Sequence, residues 1–296
     1  HTEKKTMRKD EEIYNEIAGK IADSLFNESE TVQIENFQRW VKNWVNLNPC
    51  NGESHREYTG GNYVLTSLLI HTHQWNHHQF LTFNKVKSLG GMVKKGEKSV
   101  PIFFWKFIPK KDKTGSFPLF RFFRVFNIAQ TTLNPKDFPV TKGNEGLNRR
   151  QDIDNMVSNT GANIVYTGSQ PCYIPLWDRI EIPDITKFKS ENDFYSVLFH
   201  ELGHWSKTEK RTNRNDEKLS YAQEELVAEL TSAFLCKEFG IEGKFQHTQY
   251  IAGWIKGLKE QPREFFRAVS LAMKSARFLK GDKIEIEEVE TETEVA

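Results

Sequence analysis

The chain has 296 residues, 38% hydrophobic and 27% charged, enough for one large or two medium domains with buried cores. No window approaches the roughly 18 consecutive apolar residues of a membrane span, so no membrane partner is expected. A formal net charge of +1 excludes a nucleic-acid partner only if the charge is evenly spread, and it is not.

Residues 1–150 hold 23 Lys and Arg against 15 Asp and Glu, a net of +8; residues 151–296 hold 18 against 25, a net of −7. The stretch 81–124 carries 11 basic residues against Glu97 and Asp112, a net of +9. The tail 282–296 has seven acids and Lys283, a net of −6. Such asymmetry points to two modules, one of them drawn to polyanions. Cys50, Cys172 and Cys236 lie too far apart for a disulfide framework or a CxxC zinc knuckle. With a charged start, HTEKKTMRKDEE, that lacks the apolar run of a signal peptide, they lead to the expectation of a reducing cytoplasm.

Ile13, Ile17, Ile21 and Leu25 recur every four residues, predicting an amphipathic helix over 11–26. Phe37, Trp40, Val41 and Trp44 predict a second over 36–45. The loop 49–61 is rich in Gly, Asn and Ser, and Asn62 then reads as the N-cap of a helix through about residue 74. A short helix near 84–89 ends at Gly90-Gly91. Residues 99–108 and 117–126 read as two strands joined by a polar turn. Pro135, Pro139 and Gly143 place the linker in 129–150. The second module predicts a helix near 149–160 and strands around 163–166, 171–176 and 179–182. A long helix at 191–206, a basic loop at 207–218 and helices at 220–239, 247–259 and 262–279 follow. The acidic tail is expected to be disordered.

The strongest chemical signal is His200-Glu201-Leu202-Gly203-His204. On a helix, positions i and i+4 share a face, so the two histidines pinch one cation, with Glu201 placed to take a proton from a water beside it. A catalytic zinc needs a third protein ligand and keeps one position for water. Glu225 and Glu229 share a face of the next helix; Glu225 is assigned as the ligand, with Glu224 as fallback, and Glu229 as the group that orients a ligand histidine. Tyr221, one turn before Glu225, offers a hydroxyl toward an oxyanion. Gly203 leaves room for a close neighbour. Zinc fits this donor set best, with cobalt or manganese able to substitute. The strand Cys172–Leu176 is expected beside the site, where it would pair with an extended peptide.

Between Phe103 and Phe126 lie nine aromatics interleaved with Lys106, Lys110, Lys111, Lys113, Arg121 and Arg124. Cations along phosphates and π-faces for bases are what hold single strands. Lys85, Lys87, Lys94, Lys95 and Lys98 surround Gly90-Gly91, and Arg56, Tyr58 and Asn62 are further candidate contacts. Alternating rows such as Phe103, Trp105, Phe107 also make core, and roughly two-thirds of these aromatics are expected to pack. His71, His73, His77 and His78 are read as a polar helix end, because no general base accompanies the His73/His77 spacing.

The pieces Asn48-Pro49-Cys50-Asn51-Gly52, Tyr58–Asn62, Leu81–Asn84 and Gly90–Glu97 resemble the N-terminal domain of ArdC-type antirestriction proteins, a domain that also opens TraC-type plasmid primases. Asp178-Arg179-Ile180, His200–Trp205 and Tyr221–Glu229 resemble the zincin-like metallopeptidase domain that follows it. The resemblance implies an α+β fold in two domains: a DNA-binding α+β domain at 1–145 and a mainly helical metallopeptidase-like domain with a small sheet at 146–281, before the tail 282–296. It implies a mobile-element protein that binds DNA, single strands especially with double strands a further partner, and shields an incoming plasmid from restriction. The family's metal ligands carry over onto His200, His204 and Glu225 and its catalytic glutamate onto Glu201; the protein substrate does not carry over. The rival reading is an intracellular zinc endopeptidase with an N-terminal recognition module.

Overall fold

Phe37, Trp40, Val41 and Trp44 recur at the spacing of one helical face. In the computed structural model they line the buried side of helix α1 (Glu30–Lys42) and of the 3-10 turn Asn43–Asn46 that continues it. The structure describes residues 15–17, 19–20, 29–109, 116–139, 149–214, 219–242, 245 and 250–282. Of the helix expected over 11–26, residues 15–17 and 19–20 are helical, with Ile17 fully buried; the rest lies outside the described residues, as do the turn at 110–115 and the tail from 283.

The first sheet has strand order β1-β2-β4-β3, from β1 (Cys50–Asn51), β2 (Gln79–Thr82), β3 (Val100–Pro109) and β4 (Ser116–Asn127). β1 runs parallel to β2; the other pairs are antiparallel. Helix α2 (Gly60–His73) packs on this sheet, and α3 (Phe83–Ser88) follows β2. Asn62 is not the cap of α2, which starts two residues earlier after Thr59. Its side-chain amide instead donates to Phe103 O at 2.7 Å and accepts from Phe103 N–H at 2.8 Å, tying α2 to β3 like an extra rung of ladder. Residues 129–139 are no linker either. Thr131 bridges Val93, and Ile128 and Phe138 join Leu81 and Val86 in a small core. Proline there breaks periodicity without breaking the packing.

Helix α4 (Arg149–Thr160) opens the second half, before a three-stranded sheet of order β5-β7-β6: β5 (Asn163–Tyr166), β6 (Cys172–Ile174) and β7 (Arg179–Ile182). β6 is an antiparallel edge. Four helices follow: α5 (Glu191–Trp205), α6 (Tyr221–Phe239), α7 (Ile251–Glu260) and α8 (Pro262–Lys280). Ser190 caps α5, and Ser220 with Gln223 forms a reciprocal capping box on α6. α6 is buried continuously from Glu225 to Cys236, which marks it as the central helix.

The two domains share an apolar seam. Phe234 of α6 lies against Trp44 (ring centroids 5.2 Å) and Tyr63 (6.3 Å), and Phe266 of α8 against Phe103 (6.1 Å). Gly61 permits this approach: a Cβ there would stand 3.1 Å from the Phe266 ring. Truncating a buried Phe of this kind costs about 3–5 kcal/mol, so neither half is expected to keep its full stability alone.

Candidate metal centre and nucleic-acid face

α5 and α6 cross at Gly203, where an added Cβ would meet Ala228 Cα at 3.0 Å and Ala228 O at 3.3 Å. That near-contact of backbones brings the buried faces of both helices together. His200 Nε2 and His204 Nε2 are 3.1 Å apart, and Glu225 Oε2 lies 3.4 Å from the first and 3.6 Å from the second. A tetrahedral cation about 2.0–2.2 Å from each donor needs edges of about 3.3–3.6 Å, so these three side chains fit one nearly as they stand. Among the described residues they form the one group of His, Cys, Asp or Glu with metal-ligand spacing.

Each histidine has a carboxylate behind it. His200 Nδ1 faces Glu229 Oε2 at 3.7 Å, and His204 Nδ1 faces Glu224 Oε1 at 3.2 Å. A proton held on Nδ1 leaves the Nε2 lone pair directed at the cation site. Glu224, the fallback ligand, is thus engaged elsewhere. It is gripped in turn by Arg214, whose Nη2 donates to Oε1 at 2.8 Å and Nε to Oε2 at 3.3 Å. Arg214 is 2% exposed and also donates to Gly203 O at 2.9 Å, Ser206 Oγ at 3.0 Å and Ser275 Oγ on α8. The basic loop expected at 207–218 is a loop over its described residues, but Arg214 is buried within it, because acceptors on α5, α6 and α8 surround its guanidinium. Sequence spacing carries no sign of it: its partners Glu224 and Ser275 are 10 and 61 residues away.

Burial lowers the proton affinity of His200, but hydrogen bonds to Glu225 and Glu229 outweigh it and raise its pKa to about 10. Burial raises Glu225, yet the two histidines pull it well below the usual carboxylate range. A hydrogen bond to Glu225 raises the Tyr221 phenol to about 12, which sets this exposed hydroxyl at the rim of the site. Glu201 is 6% exposed, and its charge is felt at His200, Tyr221 and Cys172. Cys172 lies on the edge strand β6, which packs against α5.

The expected nucleic-acid contacts divide differently. Tyr58 is 8% exposed, its ring 5.9 Å from Phe80, so it is a core residue and offers no face to a base. Asn62 is spent on Phe103, as above. Arg124 is held by both oxygens of Glu16 at 3.0 and 2.8 Å, and Lys85 pairs with Glu53. Lys94 is exposed but donates to Ala129 O at 2.8 Å. Arg56, Lys87, Lys95, Lys98 and Arg121 are exposed; the side chain of Lys106 lies outside the described residues. The histidines are structural: His71 meets Asn43, His73 stacks on Trp75 at 4.7 Å, and His78 Nδ1 accepts Asn48 N–H at 3.2 Å.

A helical HExxH pair with a glutamate from the next helix, joined to an α+β domain with a basic ladder, defines a two-domain protein of zincin type. Residues 151–271 match the zincin-like metallopeptidase family, and residues 12–145 match the N-terminal domain of the anti-restriction factor ArdC. The chain thus joins an ArdC-type N-terminal domain to a zincin-like metallopeptidase domain. The fold is similar to crystal structures of the antirestriction ArdC protein from R388 plasmid. The metal-free form has a TM-score of 0.70 at 27% identity, covering 91% of this chain and 97% of that one. The Mn(II)-bound form gives 0.69 at 26%, covering 93% and 99%. The DNA primase TraC of Escherichia coli is 29% identical over 275 residues, 81% of this chain but 25% of the primase, so the chain spans a quarter of that relative's length. An uncharacterized protein of Sinorhizobium fredii, y4eC, is 28% identical over 79% of this chain and 81% of its own. No helix among the described residues is long and apolar enough to cross a membrane.

Proposed function

We propose that the protein is a DNA-binding antirestriction protein of a mobile element, preferring single strands, with a zinc metallopeptidase-like domain. The division at 1–145 and 146–281, with a tail at 282–296, is supported by family matches that end at 145 and begin at 151. The DNA reading is supported by the relatives' domain and by the exposed cations of a +9 stretch. The observation that carries the metal reading is the tetrahedral spacing of His200, His204 and Glu225.

A zinc ion held by those three side chains supplies a Lewis acid that polarises a carbonyl and acidifies a water. The chain's own groups do the rest. Glu201 takes the proton of the attacking water and delivers it to the leaving amine. Tyr221 donates its hydroxyl toward the carbonyl oxygen as charge develops there. Glu229 and Glu224 hold the imidazoles so that each Nε2 stays an acceptor. Among the described residues β6 is an edge strand beside α5, which favours a second reading, a zinc endopeptidase whose substrate adds as a strand.

Affinity of the full chain for single-stranded oligonucleotides is expected to fall steeply with salt and to exceed that for duplex. Absent or salt-independent binding sinks the DNA claim. Glu201→Gln separates the two readings: antirestriction lost with DNA binding intact favours the peptidase, antirestriction retained favours protection by binding.

A further inference from the structure

The β3–β4 ladder has two faces, and they are not equivalent. Phe103 pairs across with Phe122 (5.6 Å between ring centroids), and Phe266 covers Phe103, so that face is the interdomain seam. The other face carries Val100 opposite Val125, Ile102 opposite Phe123 and Phe104 opposite Arg121. Val100, Ile102 and Val125 are buried, but beyond Ile102 the cover ends. Phe123 is 38% exposed and Arg121 exposed. The Phe104 and Phe123 rings stand edge to face, 5.4 Å apart at 83°.

A further exposed ring, Phe83, follows β2 but belongs to the opposite face of the sheet. β2 leaves its last pair, Thr82 with Val125, directly into Phe83. Leu81, opposite Phe126, shares a small core with Val86 of α3, so α3 packs on the face away from Phe123. Phe83 is 50% exposed, and Lys87 sits 5.9 Å over its ring. Phe104 is half-buried and Phe123 exposed, an apolar patch of the kind that marks a site of interaction. Unlike Arg124, Arg121 forms no ion pair among the described residues, and residues 81–124 carry a net of +9.

We propose that Phe104 and Phe123 are the rings on which this protein stacks bases of a single strand, with Arg121 taking the adjacent phosphate. The proposal rests on the DNA-binding reading and adds which side chains touch the strand. An edge-to-face pair leaves a ring face open to a planar partner, and a phosphate complements the guanidinium beside it. Neither the buried Tyr58 nor the seam aromatics Phe103 and Phe122 takes part.

The test uses the full chain with two labelled strands of equal length and charge, oligo-dT and its abasic counterpart. Wild type is expected to bind oligo-dT more tightly. Phe123→Ala and Phe104→Ala are each expected to lose roughly tenfold for oligo-dT and little for the abasic strand, with the salt slope unchanged. Phe123→Trp keeps a ring and is expected to retain the preference, a result that a misfolded variant would not give. Equal wild-type affinity for both strands overturns the proposal, as does a Phe123→Ala variant that keeps full preference for oligo-dT. Wild-type self-association abolished by Phe123→Ala, with oligo-dT affinity untouched, assigns the patch to a protein partner and also overturns it. No binding of either strand by wild type overturns the DNA reading beneath.

Discussion

In the metal cleft each histidine is fixed by a carboxylate behind it, whereas on the ladder's open face the side chains are placed by backbone register and one ring contact. His204 is backed by Glu224, Glu224 by Arg214, and Arg214 by acceptors on α5 and α8. Phe104, Phe123 and Arg121 share a face because strand residues alternate, and the two rings meet only edge to face. The donors of the cleft suit a small cation that demands direction; the face suits a flexible polymer whose affinity is a sum of weak contacts. Substitutions should therefore cost more in the cleft than on the face.

The largest break is expected from His200→Ala, which removes a donor outright. Metal affinity, read by competition with a chromophoric chelator, should fall further than for Glu229→Gln, where the loss should be roughly 10–100-fold. A Glu229→Gln protein with wild-type affinity would mean that the carboxylate 3.7 Å behind His200 does not support it. Next in size is Arg214→Met. It leaves Glu224 buried without its cation, a change expected to cost about 3–5 kcal/mol in urea unfolding of the metal-free chain. Converting Glu224 to Met as well should recover part of that loss, since two apolar side chains leave no uncompensated charge. An additive double variant would show that the pair is not coupled.

That chain of support also marks where sequence reading stops. The approach of His200, His204 and Glu225 was legible because helical periodicity and a glycine at the crossing are local signals. The order of helices and strands was legible for the same reason. Arg214 was not: a charged residue in a basic loop reads as solvated, and only tertiary packing from α8 reverses that. Asn62 misled because an amide at a helix start suits a cap, while its actual partner is a strand backbone 41 residues on. The aromatic rows announced two ladder faces without saying which was covered, since both are apolar and the cover, Phe266, arrives from another domain.

Proton linkage gives a graded test within the cleft itself. With its pKa raised to about 10 by Glu225 and Glu229 against the opposing effect of burial, metal-free His200 holds a proton throughout the neutral range. A bound cation needs the Nε2 lone pair, so loading must expel that proton. Affinity should rise about tenfold per pH unit for each proton released until pH nears 10, then flatten. Calorimetry in two buffers of different ionisation enthalpy counts the protons. Zero release at pH 7 would contradict the carboxylate support that distinguishes the cleft from the open face.

The smallest expected effect separates two arginines three residues apart on one strand. Arg124 is engaged by both oxygens of Glu16, so Arg124→Ala should leave the slope of log affinity against log salt for a single strand unchanged. Arg121 stands beside Phe104 on the open face, and Arg121→Ala should reduce that slope by about 0.7, the contribution of one phosphate contact to a single strand. Equal slopes for both variants would mean that ion pairing within the protein does not decide which cations meet the strand. The open face would then be a diffuse basic field, with no placed contacts to compare with those of the cleft.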